Sequence, residues 1–150
     1  LMKFKVLSRL LAQEFKSDTP WVGISITSSG KDWPVLSEEN RVGLLQLQFD
    51  DLDDRHRHLD KFILFSPEMA ESVLRFVSEH LSVPLLMVHC DAGVCRSPGI
   101  AAALSRILYN EDDDFFHLFM PNRLVYRTVV QHFVDHPEFN FGELRRILSS

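Results

Sequence analysis

The chain has 150 residues, 45% of them hydrophobic and 25% charged, with only 6 Gly and 7 Pro. This balance fits one soluble globular domain over residues 1–150, able to bury its own core, and excludes a low-complexity or fibrous chain. A formal net charge of -5 argues against a nucleic-acid backbone as the main partner, and no apolar run is long enough to span a membrane.

Taken in chain order, Lys3 to Leu7 alternates polar and apolar residues and predicts a strand. The apolar stretch there is broken by Lys5 and Arg9 and is too short for a leader peptide. Ser8 is a cap for a short helix through Phe15. Trp21 to Thr27, with Ile24 and Ile26 two residues apart, predicts a second strand, and Ser28 to Asn40 a loop. Leu45, Leu47 and Phe49 alternate with Gln46 and Gln48, which predicts a strand over Val42 to Phe49. Asp50 to Lys61 is crowded with charge and reads as a surface loop.

Ser66-Pro67-Glu68 opens a helix with Ser66 as cap and Pro67 in its first position. Met69, Val73, Phe76, Val77 and Leu81 share its apolar face, which leaves Glu68, Glu71, Arg75 and Glu79 to solvent. Leu85 to Val88 is a continuous apolar run after Pro84 and fits a buried central strand. Pro98 to Leu108 predicts a buried helix, broken by Asn110 to Asp114, a solvated boundary. Helices are expected around Leu124 to Val134 and Phe141 to Leu148. The alternation gives an α/β fold: a central mixed, mainly parallel sheet flanked by helices, with a cysteine loop between a central strand and a helix.

The chain has 2 cysteines, Cys90 and Cys95, both in that loop. This is no disulfide framework; it points to a reducing compartment, the cytoplasm, with both thiols available. The loop Cys90-Asp91-Ala92-Gly93-Val94-Cys95-Arg96-Ser97 joins a strand end to a helix start. Amides of such a loop converge on an anion, and the helix N-terminus adds the positive end of its dipole. Gly93 permits backbone angles that other residues resist. Arg96 can grip two phosphate oxygens with its planar fork. The same surroundings favour a Cys90 thiolate placed below a bound phosphate for in-line attack. Ser97 can donate to the sulfur, and His89 can orient the loop. A merely structural Cys90 would leave His89, Gly93, Arg96 and Ser97 unexplained.

His89-Cys90-x5-Arg96-Ser97 resembles the signature of the protein tyrosine phosphatase superfamily, and the order strand, acidic loop, helix, strand, signature, helices is similar to that of dual-specificity phosphatases. Pro121-Asn122 resembles the Pro-Asn that opens a later helix there. The resemblance covers roughly Val42 to Phe133. It implies a general acid on the loop upstream of the cysteine strand, for which Asp50, Asp51, Asp53, Asp54 and Asp60 are candidates. Asp51 is preferred because it directly follows the Leu45–Phe49 strand; Asp50 and then Asp54 come next. The implied reaction is hydrolysis of a phosphomonoester through a cysteinyl phosphate, without cofactor or metal. A phosphate or sulfate ion is expected in the loop.

Asp53, Asp54, His56 and His58 include metal-ligand types, but His-x-His in a polar loop reads as solvated. Arg55 and Arg57 are placed to meet an anionic substrate. Cys-x4-Cys-Arg-Ser also resembles the loop of low-molecular-weight tyrosine phosphatases, although the chain order differs; Cys95 could trap an oxidised Cys90 as a disulfide. The loop carries no Lys, and Asp91 would repel a multiply charged headgroup, so the expected substrate is a phosphorylated protein or small aryl phosphate rather than a phosphoinositide. RNA would favour a more basic surface. The competing functions are a thiol redox enzyme, such as an arsenate reductase or rhodanese-like carrier, and an inactive phospho-binding module.

Overall fold

The computed structural model describes residues 1–56 and 61–141. The expected helix around 141–148 and the candidates Arg57, His58 and Asp60 lie outside the described residues, apart from Phe141. Four strands, β1 (Lys3–Ser8), β2 (Trp21–Thr27), β3 (Arg41–Gln48) and β4 (Leu85–Cys90), form one sheet in the order β1-β4-β2-β3. Every pairing among them is parallel. Among the described residues, five α-helices accompany them: α1 (Arg9–Glu14), α2 (Pro67–Ser78), α3 (Arg96–Tyr109), α4 (Asp113–Leu118) and α5 (Arg123–Asp135).

The main core lies on one sheet face. Val22, Ile24, Ile26, Leu86 and Val88 there meet Val73, Leu74 and Val77 of α2, Ile100, Leu104 and Ile107 of α3, and Val129 and Phe133 of α5. A smaller cluster on the other face joins Trp21 and Met87 to Ala12 of α1 and Leu36 of the loop after β2. Because strand side chains alternate between faces, β4 sends Leu86, Val88 and Cys90 to the main core and His89 to the other side. Strand β2 is buried along its whole length, as expected between two parallel neighbours with both faces covered.

Local signals set the helix ends. Ser8 Oγ accepts from Leu11 N at 3.2 Å and Ser66 Oγ from Met69 N at 3.3 Å, the capping expected of both serines. Asn110 closes α3 in the left-handed region at φ 55°, a conformation that asparagine tolerates. Two expectations change. Leu81 lies beyond the end of α2 and is exposed, so the apolar face of α2 is carried by Ala70, Val73, Leu74 and Val77. Glu71 does not simply face solvent: it meets His132 of α5 across 2.8 Å. The acidic boundary after Asn110 also contains α4, a helix too short for sequence periodicity to reveal.

Leu86 is fully buried on the strand that ends at Cys90. Leu86→Ala is expected to cost about 3 kcal/mol of stability through lost burial and a residual cavity. Urea denaturation measures it, and a loss below about 1 kcal/mol would show that the core collapses around the gap.

Candidate active site

The C-terminal ends of the parallel strands converge on one place, where ligands of open α/β sheets bind. Strand β4 ends at Cys90, β2 leads to Ser28, β3 leads to Phe49 and Asp50, and β1 ends at Ser8. The loop between Cys90 and Arg96 is fastened on both sides. Arg9 N donates to the Asp91 carbonyl at 3.1 Å, Met120 N to that of Val94 at 3.0 Å, and Asn122 N to that of Cys95 at 2.8 Å. Ala92 and Val94 are exposed at the loop's outer edge.

Gly93 has φ +73°, and a Cβ there would lie 2.7 Å from Ser8 N and 2.9 Å from the Leu7 carbonyl oxygen. Backbone angle and space both require glycine. Its N–H donates to Cys90 Sγ at 3.3 Å. Ser97 Oγ lies 3.1 Å from the same sulfur and can donate to it when it is a thiolate. Cys90 is 2% exposed and sits beside the first turn of α3, whose amide dipoles favour negative charge. Pro98 is accommodated in that first turn, where its missing N–H is not needed.

His89 is fully buried. Its Nδ1 approaches the Cys90 carbonyl at 3.4 Å, which can only accept, and Ser25 Oγ lies 2.6 Å from Nε2. Burial pulls its pKa down, so the ring is neutral, Nδ1 carries the proton and Ser25 donates to Nε2. The orienting role expected of His89 thus has a definite partner on the neighbouring strand.

Arg96 is 5% exposed. Its Nη1 donates to the Phe49 carbonyl at 2.8 Å and to Ser28 Oγ at 2.9 Å, and Nη2 to Asp91 Oδ2 at 3.2 Å. Asp91 Oδ2 also accepts from Ser28 Oγ at 2.9 Å and Lys31 Nζ at 3.2 Å. Burial works against the Asp91 carboxylate, but hydrogen bonds from Ser28 and Lys31 and the charge of Arg96 outweigh it and lower its pKa. This corrects the sequence reading of Asp91 as an unpaired repelling charge: its side chain is neutralised by Arg96 and Lys31, and only its backbone belongs to the loop. Ser28 and Lys31 were not singled out by sequence; their position just after a parallel strand was the available signal.

The acid candidates separate clearly. Asp50 is 8% exposed and accepts from Ser29 N at 3.1 Å, Ser29 Oγ at 2.8 Å and Ile63 N at 2.8 Å. Burial opposes its ionisation, yet these bonds hold its pKa below the usual value. Asp51 is exposed on the rim, where its Oδ1 accepts from Asn122 Nδ2 at 3.0 Å. Asn122 also caps α5 through Val125 N and donates to the Leu52 carbonyl, so one side chain ties the acidic loop to the start of α5. Asp53 is occupied by Arg55 and His56.

Between the acidic loop and α4 lies a cavity of about 440 Å³ bordered by Asp51, Arg55, His56, Cys95, Phe116 and Phe119. Cys95 is half-buried there, and burial together with the Asp51 carboxylate pushes its thiol up to about 11. The arrangement sets a buried sulfur among hydrogen-bond donors, with a carboxyl group and two phenyl rings on the cavity that Cys95 borders.

In structure the chain is similar to human tyrosine phosphatase-like serine/threonine/tyrosine-interacting protein, with a TM-score of 0.52 and 15% sequence identity over 75% of this chain and 76% of that one. It is also similar to PTPMT1 (TM-score 0.45, 14% identity, 85% of this chain and 77% of that one). DUSP15 is a further similar structure (TM-score 0.43, 16% identity, 85% of this chain and 76% of that one). No protein-family model matches the chain, and no curated protein matches it in sequence. The chain has a tyrosine phosphatase-like fold, built on a parallel four-stranded sheet. Among the described residues, no helix is long and apolar enough to cross a membrane.

The raised Cys95 thiol gives a direct check. At pH 8 it holds on the order of a hundredfold less thiolate than an unperturbed cysteine. Iodoacetamide is therefore expected to modify Cys95 far more slowly in the folded chain than in urea, as read by peptide mapping. Equal rates would contradict the environment described for it.

Proposed function

We propose that the chain is a cysteine-dependent phosphomonoesterase of the protein tyrosine phosphatase superfamily, of dual-specificity type, acting as a single catalytic domain. The observation that carries this reading is the Cys90 sulfur, 3.3 Å from the Gly93 amide and 3.1 Å from the Ser97 hydroxyl beside the first turn of α3. Both groups are hydrogen-bond donors at the sulfur, the arrangement a sulfur nucleophile needs.

In the first step the Cys90 thiolate attacks phosphorus; the S–P bond forms as the bond to the leaving oxygen breaks. Asp51 gives its proton to that oxygen. In the second step water attacks the cysteinyl phosphate, Asp51 takes the water's proton, and the S–P bond breaks to return the thiolate, which Ser97 stabilises. Loop amides hold the equatorial oxygens. The contacts of Arg96 use both Nη1 hydrogens and one on Nη2. Nε–H and the second Nη2 hydrogen form the side-on fork that two phosphate oxygens require.

Asp51 is favoured over Asp50 because Asp50 is held as a carboxylate by three donors at the base of its loop, whereas Asp51 lines the cavity beside Cys95. Phe116 and Phe119 on the same cavity suit an aryl leaving group, as in phosphotyrosine. Arg55 and Arg123 lie at the cavity too and favour anionic surroundings of that group. The substrate is then a phosphorylated protein or small aryl phosphate. Two free thiols suit the reducing cytoplasm.

Hydrolysis of p-nitrophenyl phosphate in EDTA tests this. Wild-type turnover is expected to persist in the chelator and vanish in Cys90→Ser. Asp51→Asn is expected to lower kcat about a hundredfold, the range of a lost general acid. Turnover that survives Cys90→Ser sinks the mechanism. Phosphopeptide binding without turnover would replace it with a binding module, and arsenate reduction without phosphatase activity with a redox enzyme.

A further inference from the structure

Away from the cysteine loop, Glu71 of α2 meets His132 of α5 and His136, the residue that caps α5. Each offers one ligand atom, the three atoms lie within 4.8 Å of one another, and all three residues are half-buried. His132 Nε2 is 2.8 Å from Glu71 Oε1. The two imidazoles stack with centroids 3.8 Å apart and planes 17° from parallel.

Each ligand is also oriented by a second contact. His136 Nδ1 donates to the His132 carbonyl at 2.8 Å. Such an outer hydrogen bond is the usual support of a metal-bound histidine. Arg75 donates to the other carboxylate oxygen of Glu71 and lies over the Phe139 ring at 5.4 Å. A simple Glu71–His132 ion pair would not need the second imidazole.

We infer that Glu71, His132 and His136 form a site for a divalent transition-metal ion, and their two imidazoles and one carboxylate suit zinc. The ion replaces the hydrogen that His132 Nε2 shares with Glu71. Tetrahedral zinc with bonds of about 2.0–2.1 Å spaces its ligands roughly 3.3 Å apart, so the side chains close by no more than about 1.5 Å. His132 also lines a cavity of about 520 Å³. The bound ion links α2 to α5, and α5 packs on α3, the helix that starts at the cysteine loop.

The test is calorimetric titration of zinc chloride into the full chain carrying Cys90→Ser and Cys95→Ser, so that loop thiols do not compete. One ion per chain is expected, with Kd of about 1 µM or tighter, together with a rise in thermal midpoint that EDTA reverses. Glu71→Gln and His136→Asn are each expected to weaken binding about tenfold or more, and His117→Asn, exposed on α4, to leave it unchanged. If Glu71→Gln does not fold by circular dichroism, His136→Asn at the helix end decides alone. Absence of one-to-one binding at about 100 µM zinc, or undiminished binding in His136→Asn, overturns the site.

Discussion

The Arg96 guanidinium, almost wholly buried, is joined to three parts of the fold at once: Phe49 at the end of β3, Ser28 at the end of β2, and Asp91 inside the cysteine loop. A buried charge left without partners costs several kcal/mol, so these groups hold one another in place. The loop's shape is thereby tied to the sheet rather than left to its own few residues. Lys31 extends the network to the surface through Asp91, and Arg9 at the start of α1 adds to it by donating to Thr27 and to the Asp32 carbonyl.

That constraint fixes the shape of the loop around the Cys90 sulfur. Gly93 turns where only a glycine fits against Leu7 and Ser8, aiming its amide at the Cys90 sulfur. Ser97 approaches from the first turn of α3, and His89 is fixed from behind by Ser25 on β2. Asn122 joins the acidic loop to α5 through its side chain and to the cysteine loop through its N–H on the Cys95 carbonyl, so the proposed proton donor and the nucleophile share one support.

Much of this was legible in the sequence because it is local. The alternation in Lys3 to Leu7, the capping serines Ser8 and Ser66, and the apolar run before Cys90 each specify their element through neighbours in the chain. The cysteine loop was legible because strand, glycine, arginine and helix follow one another directly. What escaped depends on groups distant in sequence. Asp91 looks like a bare charge until Lys31 and Arg96 are beside it. Asp51 is ranked only narrowly above Asp50 until Ser29 and Ile63 hold the second and Asn122 the first. Glu71 reads as a solvent residue on α2 because only the packing of α5 brings His132 to it. His56 and His58 drew attention as a His-x-His pair; the three ligand-type side chains that converge among the described residues are Glu71, His132 and His136.

In the proposed mechanism, phosphate passes through the Cys90 sulfur. Rapid acid quenching of the chain during turnover of an aryl phosphate, followed by peptide mass mapping, tests it most directly. The account predicts phosphate on the peptide that contains Cys90, and none there when Cys90 is replaced by serine and the thiol is gone. Steady turnover with no phosphate on Cys90, or with phosphate on another residue, would contradict it.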